Sequence, residues 1–240
     1  HLLPGLKVKG VPKSLQGSIY PFRYNNIEEL REVVNNHDIG VIVFEGARYD
    51  FPDPEFLAEI QKLAHEKNIV TIVDEITSGW RMTDGGVYKL NGFEPDIVVY
   101  GKALGNGYAI SAIVGKKEVM DVAQESFISS TFWTERLGFA AALATLDVLV
   151  KNKIWEQLIE TGTYIGNKWL EFANKYDLKM SITDFKPLIT FKFDYGQMNQ
   201  SINTLFIQEM LKRGYIASNS IYLSAAHTSP IVDTYLEHAD

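Results

Sequence analysis

The sequence predicts an α/β fold, a mixed but mostly parallel sheet covered by helices, followed by a smaller α+β part. Three observations lead there. Short apolar runs and helical repeats alternate through the first part of the chain. The runs are apolar throughout, as strands covered on both faces are. After two successive helical patterns the character changes to a strand, a helix and mixed segments.

Composition sets the bounds. The chain has 240 residues, 46% of them apolar and 22% charged, and a net charge of -7. Those values suit a globular protein able to bury a large core, and they argue against disorder. The negative charge, with no lysine or arginine cluster to offset it, makes nucleic acid a poor partner. No apolar run approaches the roughly 20 residues that span a bilayer, so no membrane partner is expected. With no cysteine, disulfides, thiolate catalysis, iron-sulfur clusters and cysteine-type zinc sites are excluded, and a cytoplasmic location is expected.

Each element has its own justification. Asn26 can cap a helix carrying Ile27, Leu30 and Val34 on one face, and the run 39–44 reads as a buried strand. Asp53 followed by Pro54 marks a helix start, with Leu57, Ile60 and Ala64 as the buried stripe to about Lys67. Strands follow at 69–73, 97–100 and 111–114. From Glu135 the pattern is helical, with Ala140, Ala141 and Ala142 permitting close packing. A second helix carries Ile154, Leu158, Ile165, Trp169 and Phe172. Beyond it lie a strand at 188–193 and a helix at 202–212 stopped by Gly214. The expected division is a large domain at 1–151 and a smaller one at 152–240.

In open α/β sheets ligands bind beyond the carboxyl ends of the strands. Asp74 and Glu75 follow one strand; Lys102, between Gly101 and the turn Gly105, Asn106, Gly107, follows another. If the two strands run the same way, a carboxylate and an amine face one crevice. The plain alternatives are a helix cap and a surface lysine. The glycines beside Lys102 let a ligand approach the backbone, and desolvation at an apolar strand end would depress the amine's pKa, which marks it as a candidate Schiff-base nucleophile. Other motifs fail. Ile110 replaces the third glycine of a dinucleotide fingerprint, Asp96 and Ala103 break a P-loop, and Ile69 stands where a zinc protease needs its second histidine. No metal site is expected.

These residues amount to a resemblance. DEITSGWR at 74–81, PD at 95–96, YGKALGNGY at 100–108 and SSTFWT at 129–134, with the alanine-rich helix after them, resemble the class III aminotransferases of pyridoxal phosphate fold type I, and most of all their glutamate-1-semialdehyde aminomutase-like branch. The resemblance implies pyridoxal 5'-phosphate as cofactor, Lys102 as the residue that forms the imine with it, and Asp74 as partner of its pyridine nitrogen. It places Ile76 on the ring and Thr77 near the phenolic oxygen. Thr131 would reach the phosphate of a neighbouring subunit's cofactor, which implies a homodimer with shared active sites. The implied substrates are a small amino donor and a keto or aldehyde acceptor. An aminomutase using the same lysine is the alternative activity, and a cofactor-free relative of the fold the alternative class.

Several positions depart from the family. Gly46 follows Glu45 where proline is frequent, Ala109 replaces a usual proline, and Thr77 stands where glutamine is common. No segment before Asp74 resembles the family's phosphate-binding turn or its ring-stacking aromatic, and residues 1–24 read as a mid-protein stretch. A fragment lacking the N-terminal part is therefore expected. Arg48 and Arg81 are possible anchors for a substrate carboxylate, with surface ion pairs as the plain reading; Trp80 and Trp133 read as packing residues.

Overall fold

The computed structural model describes residues 9–132 and 134–240; Trp133 lies outside the described residues. The first helix, α1 (Ile27–Asn36), starts where Asn26 accepts from the Glu29 amide at 3.0 Å. It leads into β1 (Val41–Glu45). Helix α2 (Pro54–Lys67) follows with proline in its first turn. Asp53 occupies the N-cap position, but its side chain makes no capping bond; its amide instead donates to Asn25 Oδ1 at 2.9 Å.

Then come β2 (Val70–Asp74), β3 (Ile97–Tyr100) and β4 (Ala112–Gly115). The sheet order is β1-β2-β3-β4, with β1, β2 and β3 parallel and β4 antiparallel to β3. The fold class is the one the sequence predicts. Asp96 ties three strands together: it accepts from the Thr71 amide and hydroxyl and pairs with Lys116 at 2.9 Å.

The covering of that sheet differs from expectation. Ile42, Phe44 and Val73 pack against Leu30, Val34, Phe56 and Ile60 of α1 and α2. The other face, which carries Val41, Val43 and Ile113, is 47%, 53% and 60% exposed at those residues. Burial along β1 and β2 therefore alternates although the sequence does not. The strands carry apolar residues for two covered faces, and among the described residues only one receives its cover.

After a short α3 (Lys117–Met120), α4 (Arg136–Asn152) begins with Glu135 accepting from the amides of Leu137 and Gly138. Its Ala142 packs with Trp80, Val98, Tyr100 and Leu104 over β3. Lys153, in a left-handed conformation (φ 47°), breaks the chain into α5 (Ile154–Lys175). A second sheet, β5 (Met180–Ile182), β6 (Leu188–Phe193) and β7 (Ser220–Tyr222), is antiparallel with β6 central. Helices α6 (Asn199–Lys212) and α7 (Ser229–Ala239) complete this part. Leu158, Ile165 and Trp169 of α5, Met210 of α6 and Tyr235 of α7 enclose Ile189 and Phe191 of β6. Phe185 and Leu188 meet Ala47 and Val87, joining the two sheet systems through buried apolar contact.

Candidate active site

The register across the first sheet sets Glu45, Asp74 and Val99 side by side, so β1, β2 and β3 deliver their carboxyl ends to one edge. That is the condition the strand-end argument requires for Asp74 and Lys102 to share a crevice. Asp74 closes β2 and turns back on the chain, its Oδ1 accepting from the Ile76 amide at 2.8 Å. Three residues beyond Val99, Lys102 adopts a left-handed backbone (φ 40°), a strained conformation for a non-glycine residue of the kind found where a side chain must be aimed.

From there the Lys102 Nζ donates to Thr77 Oγ1 at 2.8 Å, joining the turn after β2 to the turn after β3. Ile76 lies against Gly101, where an added Cβ would meet the isoleucine Cγ2 at 3.4 Å. The chain thus brings Ile76, Thr77 and Lys102 together and places Asp74 at the neighbouring strand end. Thr131 stands apart, exposed in the turn before α4.

Beneath this turn lies Glu75, which the sequence sets beside Asp74 without revealing that it is buried. The Glu75 side chain is fully buried and accepts from Ser78 Oγ at 2.5 Å and from the Tyr88 amide at 3.1 Å. Its carboxylate fills the space that side chains at Gly46 and Gly86 would take: a Cβ there would lie 2.5 Å and 2.7 Å from Oε1. Burial pushes the Glu75 carboxyl above its ordinary range, against the pull of the donors around it. Two glycines spaced far apart were the available signal, and it becomes readable only when their common neighbour is known. Glu45, beside Asp74, has one oxygen on Arg48 at 3.2 Å and its Oε2 buried without a hydrogen-bond partner among the described residues.

The two arginines separate. Arg48 is exposed and pairs with Glu45, the plain reading. Arg81 is largely buried, donates from Nε to the Thr77 carbonyl at 2.8 Å and from a terminal nitrogen to the Leu223 carbonyl at 3.3 Å, and lies over the Tyr222 ring. Burial lowers its pKa, and no acid among the described residues compensates it. Trp80 lies against Tyr100, the ring centroids 4.4 Å apart and the planes tilted by 33°, and is a packing residue, as expected. Arg81, Lys102, Tyr222 and Ser224 line a cavity of about 550 Å³ whose apolar wall is Ala144, Val148 and Leu158. That size suits a small-molecule site.

Comparison with known proteins gives this site its context. A family model described as aminotransferase class-III matches residues 17–221. The chain is 33% identical over 214 residues to a 3-aminobutyryl-CoA aminotransferase of Cloacimonas acidaminovorans, covering 85% of this chain and 52% of that protein. It therefore spans about half the length of that curated relative. Among solved structures, the PLP internal aldimine form of the Sphingopyxis sp. MTA144 FumI protein superposes with a TM-score of 0.90 at 25% identity, over 96% of this chain and 58% of that one. A β-phenylalanine aminotransferase from Variovorax paradoxus shares the fold with a TM-score of 0.79 at 20% identity, over 90% of this chain and 55% of its own.

Proposed function

The chain belongs to the class-III aminotransferase family, and on that premise we propose that it carries the catalytic lysine of a pyridoxal 5'-phosphate-dependent aminotransferase. The observation that supports this most is the Lys102 Nζ held 2.8 Å from Thr77 Oγ1 across two parallel strand ends, on a lysine whose backbone is strained to aim it. The residues present fit the cofactor. Asp74 is a strand-end carboxylate without an ion-pair partner among the described residues, which a protonated ring nitrogen would satisfy. Ile76 offers an apolar surface to the ring, and Thr77 a hydroxyl beside the amine.

When bound, the cofactor supplies a conjugated cationic ring that takes up the electron pair left when a substrate carbon loses its proton. Asp74 would hold the group at its ring nitrogen, as a carboxylate acceptor for that nitrogen's proton. Lys102 Nζ would hold the group and, when free, would serve as the base that takes a proton from the substrate carbon. Thr77 fixes the direction from which that amine works. The substrates in this reading are a small amino donor and a keto or aldehyde acceptor.

The finer parts of the reading have their own support. Placement in the glutamate-1-semialdehyde aminomutase-like branch rests on the motif at 74–81. The division into a large domain at 1–151 and a smaller one at 152–240 is supported by the break between α4 and α5 at Lys153. A longer natural polypeptide would supply the phosphate-binding turn. The exposure of Thr131, near the exposed Phe127 and Phe132, supports the reading in which it serves a second subunit of a homodimer. Absence of cysteine supports a reducing compartment such as the cytoplasm. Among the described residues no helix is long and apolar enough to cross a membrane.

The test is spectroscopic. The natural polypeptide incubated with the cofactor should turn yellow, lose the colour on borohydride reduction with the label trapped on Lys102, and stay colourless as Lys102→Ala. A colourless wild-type protein would refute the reading.

A further inference from the structure

We infer that Arg81 is a positioning residue: it ties Thr77 to the chain just past β7 and so holds the Thr77 hydroxyl in place for Lys102. This rests on the aminotransferase reading and adds a residue to the same site.

The guanidinium acts as a clamp with two ends. Its Nε donates to the Thr77 carbonyl at 2.8 Å, a terminal nitrogen donates to the Leu223 carbonyl at 3.3 Å, and the group lies 5.8 Å from the centroid of the Tyr222 ring. Lys102 Nζ donates at 2.8 Å to the hydroxyl of the same Thr77. One threonine therefore links the lysine amine to the guanidinium, and Arg81 and Lys102 line the same cavity. Both ends of the clamp are themselves held. Leu223 is 2% exposed in the core around β6, and its amide donates to the Pro187 carbonyl at 3.0 Å. On the other side Trp80 has a left-handed backbone (φ 58°) and its amide donates to the Gly85 carbonyl at 2.7 Å. The Arg81 amide donates back to the Ser78 carbonyl at 3.2 Å, so the arginine side chain folds over Thr77.

The assignment follows from what a guanidinium can do and an ammonium cannot. A planar fork reaches two carbonyls in fixed directions, whereas a lysine amine of the same charge is a single point on a flexible stem. Thr77 is buried and β-branched, with few side-chain rotamers, so fixing its carbonyl fixes where Oγ1 points. Among the described residues Arg81 bonds to backbone carbonyls and to no acid, so what it supplies to the site is geometry.

The experiment is a double-mutant cycle read at Lys102 in two ways. In the natural polypeptide loaded with pyridoxal 5'-phosphate, the pH midpoint of the yellow band is measured for wild type, Arg81→Lys, Thr77→Val and the double variant. In the cofactor-free polypeptide, the pH midpoint of Lys102 acetylation by acetic anhydride is measured by mass spectrometry on the same four proteins. Thr77→Val should move each midpoint by about half a pH unit or more, as loss of one hydrogen bond does. Arg81→Lys, which keeps the charge, should move it in the same direction, and the double variant should match Thr77→Val alone, because the clamp then has no hydroxyl to aim. Arg81→Gln, which presents one side-chain nitrogen, repeats the cycle if the lysine variant fails to fold. Arg31→Lys, on α1 and paired with Glu59, is the control and should leave both midpoints in place. Wild-type midpoints in Arg81→Lys or in Thr77→Val would overturn the inference, and so would shifts that add in the double variant. A polypeptide that never turns yellow refutes the aminotransferase reading, while the acetylation arm still reads the clamp.

Discussion

Lys102 and Asp74 stand out as candidates because chemistry at strand ends follows a positional rule: an apolar run stops, and the next polar residue faces the edge where ligands bind. Glu75 stands beside Asp74 in the same pattern, but its burial was not legible, since its surroundings come from residues 46, 78 and 88, which the linear pattern does not connect. Its buried carboxylate fixes the turn between Asp74 and Thr77, and this carries a pH signature. Burial raises its folded pKa above the unfolded value of about 4.3. The folded state therefore binds the proton more tightly than the unfolded one. Its favourable contribution is complete below the unfolded pKa and is lost as pH rises through the raised folded value. Urea midpoints measured from pH 4 upward should fall in wild type relative to Glu75→Gln across that window, whatever constant offset the amide introduces. Parallel curves for the two proteins would show that Glu75 does not titrate there.

At the level of elements, legibility followed length and local signal. Helix α1, β3 and β6 could be read directly, because Asn26 is a strong cap, β3 is a continuous apolar run and β6 is rich in β-branched and aromatic residues. Strands β5 and β7 are three residues each and exist because β6 pairs with them on both sides, so no periodicity could announce them. Helix α7 did leave a mark, with Pro230 in its first turn and Val232, Tyr235 and Leu236 on one face, but a mixed reading absorbed it. The two N-caps make a controlled comparison. Asn26 accepts an amide hydrogen bond and Asp53 does not, although both are good capping residues by type. Asn26→Ala should cost about 1 kcal/mol in denaturant unfolding, and Asp53→Ala less than half as much. Equal losses would mean that helix-dipole charge at Asp53, not capping geometry, sets its contribution.

For the molecule as a whole, the surface around α4 is its least expected property. Phe127 is fully exposed, Phe132 is 76% exposed, and Leu137 and Leu143 are 66% and 67% exposed, all close in sequence to Thr131. A concentration of exposed apolar side chains in one stretch of a globular protein points to an interface, and self-association buries it most economically when two copies present the same patch. The proposed homodimer would supply that cover and would bring the exposed Thr131 toward the cofactor phosphate of the neighbour. Charge introduced at the centre of the patch should separate the copies. Leu137→Glu with Leu143→Glu should sediment as a monomer and retain cofactor more weakly, whereas Thr131→Ala should weaken cofactor retention while leaving the dimer intact. A charged variant that still sediments with wild type would remove the patch from the interface, and unimpaired retention in Thr131→Ala would remove the threonine from the neighbouring site.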